Sequence, residues 1–284
     1  MQGARAYRSR EEGWTAPSER AQGFPSILTD VSWVLSESYE YVTRGMLGLA
    51  LIIFLLLLFI NAPYGRHLRS GWGPSVPAKL GWILMELPSP IFMAWAYLLG
   101  EHRAEGIPLF FLLLFQCHYV HRAIIYPLLS RGVGRKMALF TVVAAFVFNS
   151  LNGAMCGWAV SQVVDYGLHW LWDPRFILGI AMFVGGAWVN LSADATLRGL
   201  RKPGETGYHI PRGGLYRLVS SPNYLGEIVE WFGFALATWS MAGLAFAVFT
   251  MANLIPRARA NHLWYQERFP DYPKKRRAIL PFLY

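Results

Sequence analysis

Ionisable side chains occur inside apolar stretches of this sequence, where burying them is costly and usually serves a function. The first is Glu86 in the segment LGWILMELPSPIFMAW, directly before Pro88 and Pro90. Prolines disrupt a helix, so the sequence predicts a bend that frees backbone groups beside a carboxyl. A carboxyl in such a site is expected to be neutral at pH 7 and able to donate a hydrogen bond. The alternative is a paired acid with a structural role.

A second set of polar side chains follows one face of the next apolar segment. Tyr119, Arg122 and Tyr126 are separated by three and four residues, which places them on one helical face. The alternative is an interfacial aromatic belt with an arginine that reaches the membrane surface. His118 and His121 have no third ligand at a useful spacing, so we interpret them as structural and predict no metal site.

A later segment carries a polar edge that leads into a basic loop. Asn190, Asp194, Arg198 and Arg201 recur at intervals of four, four and three residues before the loop LRKPGETGYHIPRGG. Arginines there could meet lipid phosphates. The amide and carboxyl groups on the same edge favour a phosphorylated, ribose-bearing cofactor.

The following segment repeats this polar spacing. Asn223, Glu227 and Glu230 are four and three residues apart, beside Trp231. The sequence has no G-x-G-x-x-G motif after a strand and no P-loop. Any nucleotide must therefore be held by helices and loops of the apolar region itself.

Seven apolar segments would position these residues. They cover residues 46–62, 80–99, 107–129, 137–164, 175–193, 223–239 and 241–256. A membrane-spanning helix needs roughly 20 residues, and the chain is 54% hydrophobic but only 15% charged. The sequence therefore predicts an all-α integral membrane protein with seven transmembrane helices in one bundle. Residues 44–284 form one domain, and residues 1–43 form a polar extension without an assigned role or a visible cleavable signal.

The distribution of basic residues predicts an orientation in the membrane. Lysines and arginines concentrate in the connections 63–79, 130–136 and 194–222 and in the tail after residue 256. The alternate connections, around residues 101–105, 165–173 and 240, carry no net positive charge. Because basic loops stay on the cytoplasmic side, we expect the N-terminus outside and the C-terminus in the cytoplasm.

Charge and cysteine content exclude other classes of function. The net charge of +9 would suit a nucleic-acid partner, but the basic residues lie between apolar spans and form no single stripe. We therefore predict a lipid membrane as the partner and no nucleic acid. Cys117 and Cys156 both lie in apolar stretches, which indicates neither a disulfide framework nor a metal site.

Several motifs together resemble a known family. They are ELPSP at Glu86, CHYVHRAIIYPLLSRG, NLSADATLRGLRKPGE, GYHIPRGGLYRLVSSPNYLGEIVEWFGFALATWS and DYPKKRRAILPF. Over about residues 80–284 the chain is similar to the steroid 5α-reductases, or 3-oxo-5α-steroid 4-dehydrogenases, and most of all to their type 1 and type 2 isozymes.

The resemblance implies a seven-helix bundle that binds NADPH from the cytoplasmic side. It would reduce the Δ4 double bond of a 3-oxo-Δ4-steroid taken from the bilayer, in the endoplasmic reticulum of a eukaryote or the inner membrane of a bacterium. It implies no obligate protein partner. Glu86 and Tyr119 would hold the C3 carbonyl as catalytic residues, and Trp231 and Glu227 would lie near the substrate. The implied NADPH contacts are Arg122, Tyr126, Asn190, Asp194, Arg201, Tyr208, Asn223, Arg257 and Tyr265.

Four positions depart from the pattern of the family. Met85 stands where glutamine is usual, Ser130 where asparagine is common and Asn261 where histidine is common. Val142 lies near the place of an arginine that meets the far end of the steroid. These departures bear on the preferred substrate more than on the type of reaction.

Three other functions stay open at this point. The block RLVSSPNYLGE is shared with isoprenylcysteine carboxyl methyltransferases and sterol C14 reductases, although those relatives lack ELPS joined to HYxHR. Another enone reductase would act on a sterol, a polyprenol or an enoyl-CoA. A transporter would need polar residues that reach both sides of the membrane, whereas here they concentrate in the cytoplasmic halves of their spans.

Overall fold

The computed structural model describes residues 26–63, 65–130, 134–200, 205 and 207–284, and most of them are helical. The helices are α1 (Ser26–Phe59), α2 (Ala78–Glu86), α3 (Pro88–Leu99), α4 (Gly106–Val120), α5 (Tyr126–Leu129), α6 (Leu139–Trp158), α7 (Pro174–Gly199), α8 (Pro222–Thr238) and α9 (Met241–Arg268). Two short strands, β1 (Ser75–Pro77) and β2 (Lys136–Ala138), pair antiparallel. The all-α prediction therefore holds apart from this one small ribbon, which ties the start of α2 to the start of α6.

Six helical segments are long and apolar enough to cross a bilayer. They are Asp30–Phe59, Ala78–Leu99, Gly106–Leu129, Leu139–Val163, Pro174–Gly199 and Met241–Arg268. Large apolar side chains such as Leu113, Phe140 and Trp188 are exposed on their outer faces, as contact with lipid requires. These segments indicate a multi-pass membrane protein. The predicted span at 223–239 corresponds to α8, which has 17 residues and is shorter than these six segments.

The helix ends differ from the predicted ones in several places. Near Glu86, where a bend is predicted, α2 ends and α3 begins at Pro88, and Leu87 between them keeps a right-handed helical backbone. The last span was predicted to end at Pro256, but α9 continues through this proline to Arg268. The proline costs one backbone hydrogen bond, and the packing of the helix around it outweighs that loss. Helix α1 likewise begins at Ser26, well before the apolar run that marks its span.

Glycines bring α7 and α8 into backbone contact. A Cβ at Gly186 would meet the backbone of Glu230, and one at Gly226 would meet the backbone of Asn190. Gly179 and Gly233 repeat the same contact farther along the two helices. Small residues of this kind allow membrane helices to approach closely. The contact places the polar edge of α7 directly opposite that of α8.

An aromatic cluster fills the centre of the bundle. Trp231 is almost fully buried, and its ring lies 4.2 Å from the ring of Phe246 and 5.5 Å from that of Phe115, measured between centroids. Phe115 also stacks on Tyr119, with centroids 4.7 Å apart. The cluster therefore joins α4, α8 and α9 and fixes the ring of Tyr119.

Candidate active site

Arg122 lies at the centre of a buried group of three carboxylates. Its guanidinium nitrogens are 3.2 Å from Glu227 Oε2 and 3.9 Å from both Glu86 Oε1 and Asp194 Oδ2. Arg122 belongs to a π-helical turn, His121–Ile125, between α4 and α5. Such turns often occur at functional sites because they re-aim side chains. Here the turn directs one cation at acids from α2, α7 and α8.

The ring of Trp82 packs against the same arginine. It lies 4.8 Å from the guanidinium carbon of Arg122 and 5.1 Å from the ring of Tyr126. The indole nitrogen of Trp82 also donates to the backbone carbonyl of Arg122 at 3.0 Å. Trp82 of α2 therefore contacts both the backbone and the side chain of Arg122 in the π-helical turn.

Asparagine side chains connect the two polar edges of α7 and α8. Asn190 Nδ2 donates to the backbone carbonyl of Asn223 at 2.9 Å and lies 3.4 Å from Glu227 Oε2. In return, Asn223 Nδ2 donates to Asp194 Oδ1 at 3.0 Å. These reciprocal bonds fix the carboxyl groups of both helices, so the helical spacing read from the sequence does correspond to one contiguous polar cluster.

Glu86 and Tyr119 lie on the apolar side of this cluster. The Tyr119 side chain is buried against Phe115, and its ring centroid is 5.9 Å from that of Trp231. The Tyr119 phenol therefore lies among aromatic rings, whereas Glu86 contacts Arg122 at the edge of the charged cluster.

His118 forms a buried hydrogen bond with Glu230. The two side chains are 9% and 2% exposed, and His118 Nδ1 lies 2.6 Å from Glu230 Oε1. The imidazole packs edge-on against Trp231, with centroids 4.5 Å apart. His118 was interpreted as structural from the sequence, but its partner could not be identified because the two residues are far apart along the chain.

Arg122 also lines a cavity. Its lysines and arginines are Arg66, Lys79, Arg122, Arg135, Lys136, Arg198 and Arg257, whereas Asp194 is the one carboxylate among the described residues that line it. Seven cations around one acid make a site for a polyanion.

Three of these arginines each have a buried nitrogen that donates no hydrogen bond to any described residue. They are Nη1 of Arg66, Nη2 of Arg135 and Nη1 of Arg198. A buried guanidinium N–H without an acceptor is costly, which indicates that the acceptor is a ligand. Sequence reasoning missed Arg66 and Arg135 as site residues. Their only signal was the basic character of their connections, which served there to predict topology.

Aromatic rings hold Arg66 in place. Its guanidinium carbon lies 4.6 to 4.9 Å from the ring centroids of Tyr208, Trp264 and Tyr265. The guanidinium carbon of Arg135 lies 5.0 Å from the centroid of the same Tyr208 ring. The loop after α7 and the end of α9 therefore meet at the wall of the cavity.

The uncharged part of the wall includes His67. Burial and the neighbouring cations Arg66 and Arg69 lower the pKa of His67, while a hydrogen bond to Asn261 acts in the opposite direction. The imidazole is therefore neutral at pH 7. It adds a polar but uncharged group beside the arginines, at 3.3 Å from Asn261 Oδ1.

Most of the predicted cofactor residues line this cavity. Those that do so are Arg122, Tyr126, Asp194, Tyr208, Asn223, Arg257 and Tyr265. Asn190 lies behind them and orients Asn223. Arg201 lies outside the described residues. The residues predicted near the substrate, which are Glu86, Tyr119, Glu227 and Trp231, are not part of this lining, but Glu86 and Glu227 both contact Arg122.

Comparisons with known proteins identify the family of this chain. The family model described as 3-oxo-5-alpha-steroid 4-dehydrogenase matches residues 135–284. Steroid 5-alpha-reductase DET2 of Gossypium hirsutum is 46% identical over 253 residues, which covers 87% of this chain and 97% of the relative. The 3-oxo-5-alpha-steroid 4-dehydrogenase 1 of Mus musculus is 46% identical over 240 residues, 83% of this chain and 92% of the relative. The human protein of the same name is 43% identical over 226 residues, 79% and 87% of the two chains. The chain thus belongs to the 3-oxo-5-alpha-steroid 4-dehydrogenase family of oxidoreductases, the steroid 5-alpha-reductases, as its motifs indicated.

Proposed function

We propose that this protein uses NADPH to reduce the Δ4 double bond of 3-oxo-Δ4-steroids, which gives 5α-dihydrosteroids. The observation that carries this proposal is the junction at Arg122. A cation-lined cavity meets a largely buried carboxyl, Glu86, there, within one helical bundle. A polyanionic cofactor and an apolar carbonyl substrate would approach this junction from opposite sides.

The cavity residues fit NADPH. Arg66, Arg135 and Arg198 each offer a buried donor without an acceptor among the described residues, which suits the pyrophosphate and the additional phosphate of this cofactor. Asp194 and Asn223 offer acceptor and donor groups for a ribose or a carboxamide. When bound, NADPH supplies the hydride. The residues that line the cavity, Arg122 among them, would hold it there.

Glu86 and Tyr119 would act on the carbonyl of the substrate. Hydride addition to the β-carbon of an enone moves negative charge onto the C3 oxygen, and two hydrogen-bond donors stabilise the resulting enolate. Preorganised donors in a water-poor site contribute strongly, since removing one typically costs about 2.7 to 4 kcal/mol. Phe115 restricts the ring of Tyr119, so its hydroxyl needs little reorganisation during the reaction.

The charges around Arg122 support a neutral Glu86. One guanidinium faces three carboxyl groups, and a buried cluster that carried all three negative charges would have a net charge of −2. Glu227 is closer to the guanidinium, at 3.2 Å, than Glu86, at 3.9 Å. Glu227 therefore takes the role of counter-ion. Asp194 is as far from the guanidinium as Glu86, but it accepts a hydrogen bond from Asn223 at 3.0 Å, which favours its ionised form, so Glu86 is the group that keeps its proton as a donor.

The topology follows from the same proposal. We place seven spans in the membrane, with α8 as the additional crossing, the N-terminus outside and the C-terminus in the cytoplasm. Helix α8 would be about 25 Å long at 1.5 Å per residue, somewhat short of a hydrocarbon core of about 30 Å. Its partner α7 shields it from lipid on one side through the glycine contact. The steroid enters from the bilayer, and no obligate protein partner is required.

The test measures reduction directly. The purified protein in detergent or proteoliposomes is incubated with NADPH and a panel of 3-oxo-Δ4-steroids, including testosterone and progesterone. We expect a loss of NADPH absorbance and a product that is two hydrogens heavier by mass spectrometry. Methyl transfer from S-adenosylmethionine, reduction of a sterol or polyprenol alone, or solute flux without NADPH consumption would each overturn the proposal.

A further inference from the structure

The break between α2 and α3 leaves backbone carbonyls without helical donors. Pro88 and Pro90 have no N–H, so the carbonyls of Leu84 and Glu86 lose the partners that a continuous helix would supply. Between them, the carbonyl of Met85 accepts a hydrogen bond from Asn149 Nδ2 on α6, at 2.5 Å. A side chain of α6 therefore binds the backbone at the junction of α2 and α3.

The orientation of the Asn149 amide follows from this bond. A backbone carbonyl can only accept, so the atom that faces Met85 must be the nitrogen and not the oxygen of the amide. The same Nδ2 lies 3.4 Å from Glu86 Oε2. Because Nδ2 carries two hydrogens, it can donate to both acceptors at once. Asn149 is itself buried, at 7% exposure.

The two oxygens of Glu86 consequently have different surroundings. Oε2 faces the Asn149 amide nitrogen, and Oε1 lies 3.9 Å from the guanidinium of Arg122, beyond hydrogen-bond distance. An oxygen that accepts from an amide is favoured as the C=O of a protonated carboxyl. The proton of a neutral Glu86 then belongs on Oε1.

We propose that Asn149 is a positioning residue that fixes the Glu86 carboxyl, so that Oε1 carries the proton and donates it in a hydrogen bond to the carbonyl of the substrate. This inference rests on the proposed function, because it needs Glu86 to act as the donor. The residue next to Glu86 cannot take this role. Met85 has no hydrogen-bond donor in its side chain, which packs in an apolar cluster with Met137 and Val142. The amide therefore comes from α6 instead of from α2.

The experiment compares two asparagines of the same helix. Asn152 is one turn farther along α6, is fully buried, and its Nδ2 has no hydrogen-bond partner among the described residues. Asn149→Ala and Asn152→Ala thus remove the same group from similar surroundings. We expect Asn149→Ala to lower kcat for a 3-oxo-Δ4-steroid about tenfold, with NADPH affinity within twofold of the unmodified protein. Asn152→Ala should leave kcat unchanged.

A second variant separates positioning from packing. Asn149→Leu keeps roughly the size of the side chain but has no hydrogen-bond donor. We expect kcat to fall at least as far as in Asn149→Ala, while the KM for the steroid changes much less. If both variants bind NADPH normally and keep kcat within twofold of the unmodified protein, the inference is overturned. An unmodified protein that reduces no enone would refute the proposed function itself, and the role of Asn149 with it.

Discussion

The hydroxyl of Tyr119 provides the most direct test at the scale of single residues. Tyr119→Phe keeps the ring that stacks on Phe115 and removes only the oxygen. Because this hydroxyl would donate to an oxygen that gains charge during the reaction, we expect kcat to fall roughly 100-fold. NADPH affinity should stay the same, since Tyr119 does not line the cofactor cavity. Steady-state kinetics together with fluorescence titration measures both quantities.

Tyr97→Phe is the matched control for this substitution. Tyr97 is equally buried, but its hydroxyl donates to the backbone carbonyl of Arg103, away from Glu86 and Arg122. We expect a small loss of thermal stability from the missing hydrogen bond and an unchanged kcat. Equal losses of kcat in both variants would show that removing any buried tyrosine hydroxyl disturbs the protein, and would contradict a specific role of Tyr119.

Arg66 should determine cofactor affinity rather than turnover. It lines the cavity, and its Nη1 has no partner in the part of the chain that the structure describes. Arg69 on the same connection lies outside the lining and donates to the backbone of Asn61. Charge-assisted hydrogen bonds contribute about 1.5 to 3 kcal/mol, so Arg66→Ala should weaken NADPH binding about tenfold or more. Arg69→Ala should change it less than twofold. Similar losses in the two variants would indicate only a diffuse electrostatic attraction.

The sequence predicts site residues well where they share one helix. Spacing alone grouped Asn190 with Asp194 and Asn223 with Glu227, and these side chains do form one hydrogen-bonded cluster. Spacing carries no information on contacts between distant segments. For this reason it could not pair Asn149 with Glu86.

At the scale of helices, the contact of α7 and α8 depends on small residues at defined places. Gly186 and Gly185 are neighbours in sequence, yet a Cβ at Gly186 would meet the backbone of Glu230 and one at Gly185 would meet nothing within 4 Å. Gly186→Ala must push the helices apart and is expected to destabilise the protein by about 1 to 3 kcal/mol. Gly185→Ala should be neutral or slightly stabilising, because alanine is the better helix former.

The same pair of variants tests whether helix spacing controls the cofactor site. Separating α7 from α8 lengthens the bonds that join Asn190 to Asn223 and Asn223 to Asp194. We therefore expect weaker NADPH binding in Gly186→Ala and unchanged binding in Gly185→Ala. Thermal unfolding in detergent and a binding titration would measure the two effects. A Gly186→Ala protein with unchanged stability would contradict the close contact.

Helix ends were harder to predict than helix centres. Hydropathy marks the part of a helix that lies in lipid, so the apolar runs located every long span of the structure. It does not mark the polar ends. Helix α9 continues beyond Pro256 into a segment with Arg257 and Tyr265, and these side chains belong to the wall of the cavity. The functional ends of the helices therefore lie where the hydropathy signal has already stopped.

For the molecule as a whole, the site lies where separate parts of the bundle converge. Helices α2 and α3 pack on α6, while α7 packs on α8 and α8 on α9. The π-helical turn that carries Arg122 lies between these groups, since it contacts Glu86 from the first and Asp194 and Glu227 from the second. A small relative shift of the groups would change the distances from Arg122 to its carboxylates. If the proposed cofactor binds at Asp194, its binding would thus be coupled by geometry to the position of Glu86.

The number of membrane crossings can be tested by labelling two positions from opposite sides. Glu105 precedes α4 and Asp271 follows α9, and both side chains are exposed. The long segments Gly106–Leu129, Leu139–Val163, Pro174–Gly199 and Met241–Arg268 lie between them, together with α8. If α8 crosses the membrane, the number of crossings between the two positions is odd, and the positions lie on opposite sides. If α8 does not cross, they lie on the same side.

In a background without Cys117, a membrane-impermeant maleimide applied to sealed vesicles should therefore label Glu105→Cys in one orientation and Asp271→Cys only in the other. Labelling of both from the same side would leave six crossings and would also exclude the orientation predicted from the basic loops.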